Sequence, residues 1–100
     1  MATALQLDKV FNAASANASS TAVNWEGGVG QFMASGTFDT CTVKLQMSPD
    51  DGTTWIDVGS DTEFTAAGVA NFELGACDIR GDLSSVGGST SVSAWMTARK

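Results

Sequence analysis

From residue 22 onward, apolar and polar positions alternate in short runs, and a period of two marks half-buried strands. The clearest run covers residues 41 to 47. Cys41, Val43, Leu45 and Met47 fall on one face, and Thr42, Lys44 and Gln46 on the other. Near the C-terminus Val92, Ala94, Met96 and Ala98 share a face, which leaves Trp95 on the opposite side. Val23 and Trp25 alternate with Ala22 and Asn24 until Gly27 and Gly28 break the run, and residues 29 to 34 form the next segment. Residues 53 to 58 set Thr54, Ile56 and Val58 against Trp55 and Asp57. Residues 63 to 65 and 69 to 74 read as a pair across Ala66, Ala67 and Gly68. In residues 77 to 83, Cys77, Ile79 and Leu83 point inward and Asp78, Arg80 and Asp82 outward.

These runs predict about seven or eight short strands separated by Gly, Asp and Ser turns. The fold class is all-β: a single small antiparallel β-sandwich or β-barrel with Greek-key-like connections. Residues 1 to 21 break the pattern. An apolar cluster of Leu5, Leu7, Val10 and Phe11 precedes a small, polar, low-complexity tract. The expected organisation is an extended N-terminal arm at 1–21 and a β-domain at 22–100. The arm's apolar side chains face either another chain or this domain, as a strand capping its own sandwich.

Composition narrows the core. Leu, Ile, Val and Phe number 20 in 100 residues, and 14 of the remaining apolar residues are Ala. So thin a core rests on five Phe and three Trp and invites support from neighbouring chains. The chain has no His, which removes Ser–His and Cys–His pairs and imidazole metal sites. Two cysteines, Cys41 and Cys77, cannot form a four-thiolate zinc site. A net charge of -6 is the wrong sign for a phosphate-binding surface, so no nucleic acid is expected. Nine of the eleven acids lie between Asp39 and Asp82, where they keep a β-protein soluble. The start MATALQLDKV has neither a basic n-region nor a long apolar run, and no segment approaches the ~20 apolar residues of a membrane span. Synthesis in a cytoplasm and two free thiols are expected, with a Cys41–Cys77 disulfide as the alternative.

The sharpest motif runs from Ser48 through Pro49, Asp50, Asp51, Gly52, Thr53 and Thr54 to Trp55. Pro49 presets a turn, Gly52 supplies positive φ, Ser48 and Asp50 bond turn amides, and Trp55 packs back on the hairpin. The run fits the S-x-D-x-G-x-T-W pattern called the Asp-box, a hairpin staple, and we read Ser48, Asp50, Gly52 and Trp55 as structural. Arg80, Gly81 and Asp82 spell an adhesion tripeptide, but they sit inside an alternating strand. No spacing among the eleven carboxylates singles out a catalytic pair. The expectation is no enzyme, no catalytic residue, no cofactor and no metal. Trp95 is the candidate interface aromatic, and the three Trp together offer a sugar-stacking platform as an alternative.

The segments Trp25-Glu-Gly-Gly28, Gly36-Thr-Phe38, residues 42 to 55, Asp78-Ile-Arg80 and Ser91-Val-Ser-Ala-Trp95 together resemble small virion proteins of tailed bacteriophages. The likeness spans residues 25 to 99. It implies a capsid decoration or cement protein that binds the major capsid protein lattice as a trimer or dimer. The chain would be made in a host bacterial cytoplasm and end on the virion surface, with no membrane partner. Leu5, Leu7, Val10 and Phe11 would then anchor an arm on the lattice. A neck, tail or head-fibre component and a small carbohydrate- or receptor-binding module stay open as alternatives.

Overall fold

The alternation becomes strand pairing of a single kind, since every ladder among the described residues is antiparallel. The computed structural model describes residues 7–99. Its strands are β1 (Leu7–Ala14), β2 (Ala18–Ser19), β3 (Val23–Trp25), β4 (Gly28–Thr37) and β5 (Thr42–Ser48). They continue as β6 (Ile56–Asp57), β7 (Glu63–Phe64), β8 (Gly68–Leu74), β9 (Cys77–Ser84) and β10 (Ser91–Arg99). A short 3-10 turn, Ser60–Thr62, joins β6 to β7.

Two sheets form. One has four strands in the order β1-β10-β4-β8. The other has six, in the order β2-β9-β5-β6, with β3 also on β9 and β7 also on β5. The chain changes sheet between β1 and β2, β3 and β4, β4 and β5, and at each step from β7 to β10. That traffic makes an antiparallel, sandwich-like all-β fold.

The inner faces are those read from the alternation. Phe32 and Ala34 of β4 and Val92, Ala94 and Met96 of β10 meet Val43 and Leu45 of β5 and Ile79 and Leu83 of β9, all buried. Each large side chain so buried contributes roughly 1.5–3 kcal/mol. Aromatics fill what few aliphatics cannot. The Trp25 and Phe72 rings lie 5.0 Å apart, and the Phe32 and Phe64 rings stack at 5.8 Å.

Two local expectations change, and an alternative left open for the N-terminal segment closes. Residues 63 to 65 and 69 to 74 do not pair with each other: β7 pairs with β5 and β8 with β4, in different sheets. Between them, the Phe64 ring stacks on Phe32 and Phe72 packs on Trp25, so each segment places an aromatic in the core. Residues 53 to 58 yield only the two-residue β6, and Ile56 is 49% exposed. The turn's own hydrogen bonds hold the preceding residues out of the ladder. Residues 7 to 19 of the expected arm supply β1 and β2, one strand to each sheet. Phe11 is 6% exposed and belongs to the core, and Val10 packs against it. The ladder of β1 shifts register on either side of Phe11. A regular strand sends consecutive side chains to opposite faces, so such an irregularity lets Val10 and Phe11 both turn inward.

Candidate interaction face

The Ser48–Gly52 turn closes the end of β5, and its chemistry is turned on itself. Ser48, 1% exposed, accepts from the Gly52 amide at 2.7 Å and donates to Asp50 Oδ1 at 2.9 Å. Asp50 Oδ1 also accepts from the Thr54 amide at 2.7 Å. That backbone bond is the main reason the Asp50 carboxyl is held below its usual range. Gly52 has φ 90, the left-handed backbone the motif demands of it. Trp55 is half-buried, and the Arg80 guanidinium lies 4.2 Å over its ring. The structure brings Ser48, Asp50, Gly52 and Trp55 together as a hairpin staple.

The outer face of the six-stranded sheet is polar and internally connected. Arg80 Nε donates to Gln46 Oε1 at 2.9 Å, and Gln46 Nε2 donates to Asp57 Oδ1 at 2.9 Å. Lys44 Nζ reaches Asp57 Oδ2 at 3.3 Å. The Gln46 bond chiefly, helped by Lys44, lowers the Asp57 pKa. On the same face Ser19 donates to Asp82 at 2.8 Å. Arg80 and Asp82 are thus engaged within the sheet, and Gly81 between them is buried.

The outer face of the four-stranded sheet is different. The register aligns Lys9, Trp95, Met33 and Val69 in one row across all four strands. Lys9 Nζ sits 5.4 Å over the Trp95 ring. Trp95 and Met33 are half-buried, and Val69 is 62% exposed. The neighbouring row holds Thr97, Gln31 and Asn71, the last two joined by a 3.0 Å side-chain hydrogen bond. On the other side Ser93 pairs with Ser35. Among the described side chains only Glu73 brings a carboxylate to this face, at its margin opposite the exposed Val29. An apolar patch of Trp95, Met33 and Val69, edged by Lys9, Glu73 and neutral polar groups, is the composition of a protein-covered surface.

Trp95, expected as an interface aromatic, stands in this row. Val10 and Phe11 do not; they pack on their own domain. Leu7 opens β1 opposite Thr97, and Leu5 lies outside the described residues. Met33 and Val69 were missed in the sequence reading. Met33 sits between the inward Phe32 and Ala34, so alternation alone turns it outward, but only the register sets it beside Trp95. The three Trp share no platform: Trp25 is in the core, Trp55 lies under Arg80, and Trp95 is on the other sheet.

The remaining chemistry is sparse. Both cysteines are free thiols, and burial pushes both pKa values up, Cys77 with a further contribution from Asp78. Among the described residues no group of three His, Cys, Asp or Glu is placed to hold a metal ion. No helix there is long and apolar enough to cross a membrane. An open groove of about 440 Å³ runs beside Trp25, Glu26, Asp51 and Asp78. No protein-family model, curated protein or solved structure matches the chain.

Proposed function

We propose that the chain is a non-enzymatic structural protein of a tailed-bacteriophage virion, of the capsid-decoration type, acting as a homo-oligomer on the major capsid protein lattice. The observation that carries this reading is the division between the two sheets. One outer face is a polar network with its groups already paired, suited to solvent. The other presents Trp95, Met33 and Val69 in a row with Lys9 at its end, suited to another protein surface. The segment motifs from Trp25 to Trp95 that resemble small phage virion proteins support the same reading. Leu5 and Leu7, ahead of the half-buried Val10 and the buried Phe11, are the remaining candidates for contact with the lattice. On a shell with many identical sites, weak contacts reinforce one another.

The test is co-sedimentation of the purified protein with emptied phage shells. Saturable binding at a fixed ratio to the major capsid protein, lost in a Leu5→Ser, Leu7→Ser variant that still folds, is the expected result. Binding only to isolated necks, tails or fibres would move the protein elsewhere in the virion. Binding to a glycan array that disappears with Trp95→Ala would replace the proposal with a carbohydrate-binding module.

A further inference from the structure

We infer that the outer face of the four-stranded sheet is closed by a second copy of this chain, giving a back-to-back two-fold dimer. This deepens the homo-oligomeric reading above by naming the occupant of that face. Four strands at ~4.8 Å spacing, each contributing about eight residues at ~3.4 Å, give a face of roughly 19 by 27 Å. Two such faces together reach the ~1,000 Å² that a specific interface needs. Area alone admits other partners; the self-complementary row selects a second copy, and charge decides which sheet it uses.

The chain carries eleven acids against five bases. Asp57 and Asp82 lie on the outer face of the six-stranded sheet, so pairing two copies through that sheet would stack like charges and break the Gln46–Asp57–Lys44 bonds. Pairing through the four-stranded sheet buries, among the described side chains, one base and one acid per copy, Lys9 and Glu73 on the two edge strands, and leaves both acidic faces outermost. The row is also self-complementary. Its strand order places Lys9 and Val69 at opposite ends, with Trp95 and Met33 between them. A two-fold axis parallel to the strands reverses the row, so Trp95 of each copy meets Met33 of the other. Lys9 then lies opposite Val69. No like charges meet, and each tryptophan gains a thioether contact of the kind sulfur and aromatic rings favour. The exposed Val69 is covered in the same step.

The experiment is sedimentation equilibrium of the full chain between ~1 and ~100 μM, at the micromolar end of what small specific interfaces show. Wild type should show a monomer–dimer equilibrium. Val69→Lys, which sets like charges against Lys9 of the other copy, and Met33→Glu, which puts a carboxylate against the Trp95 ring, should each raise the dissociation constant at least ~30-fold without unfolding the domain. Ile56→Glu, exposed beside the other sheet, should leave it unchanged. A wild-type monomer throughout overturns the inference, as does a dimer weakened by Ile56→Glu but not by Val69→Lys. Shells added to the same samples separate the two readings. A monomer that shells capture removes the dimer and keeps the lattice function. A dimer that shells ignore keeps the interface and removes the lattice function.

Discussion

The Phe11 ring rests on the α-carbon of Gly81. A Cβ built on Gly81 would stand 3.0 Å from Phe11 Cε2 and 3.3 Å from Val10 Cγ2. Ser20 brackets the same glycine, donating its amide to the Gly81 carbonyl at 2.8 Å and accepting the Gly81 amide on Oγ at 2.8 Å. The glycine of the apparent adhesion tripeptide is therefore a seat for the N-terminal strand.

Filling that seat should loosen β1. Gly81→Val is expected to cost about 1–3 kcal/mol through overpacking. It should also speed amide exchange in residues 8 to 14 more than in β5 or β9. Phe11→Ala should cost about 3 kcal/mol in the free protein, because a core ring is lost. Unchanged thermal melting of Phe11→Ala would show that β1 adds nothing to the isolated domain.

The hairpin staple makes a second prediction. Gly52→Val forces a β-branched residue into φ 90 and should lower stability by more than ~1 kcal/mol. Ser48→Ala leaves the Gly52 amide without its acceptor and should cost about 1–2 kcal/mol. Urea melts of both variants check this, and a midpoint equal to wild type for either would remove that residue from the staple.

Acid should weaken the same turn. Asp50 and Asp57 both have folded pKa values below their ordinary ones, because hydrogen bonds favour their ionised forms. The stability they contribute is fully present above the usual carboxylate pKa and is lost as pH falls through the depressed folded values. Asp50→Asn keeps an acceptor for the Thr54 amide but cannot titrate. Its melting temperature should therefore fall less steeply than wild type below about pH 4. Parallel curves for the two proteins would detach Asp50 from the acid response.

The thiols should be slow to react. Burial raises both pKa values, so the thiolate fraction at neutral pH is smaller than for a free cysteine. A disulfide-exchange reagent should label half-buried Cys77 before buried Cys41, and both far more slowly than in urea. Equal native and unfolded rates would mean the sites open freely.

Much of the architecture was legible because alternation is local. The inward sets Val43, Leu45 and Val92, Ala94, Met96 were read from a period of two and are buried as read. The Ser48–Trp55 staple was legible for the same reason, since its hydrogen bonds span at most four residues. The N-terminal segment was not, because its Ala- and Ser-rich composition lacks a period and β1 is bent by two register shifts. The separation of β7 from β8 was equally hidden, since short strands choose partners by what lies across the fold.

The order of residues by itself determined an all-β domain, the buried face of its long strands, one stapled turn and an outward Trp95. Tertiary structure alone decided that Trp95 stands in a row with Lys9, Met33 and Val69, and that Phe11 covers Gly81. The physical reason is distance along the chain. The side-chain period of a strand is set by its own backbone, whereas Trp95 meets Met33, and Phe11 meets Gly81, only after more than sixty intervening residues have folded into register.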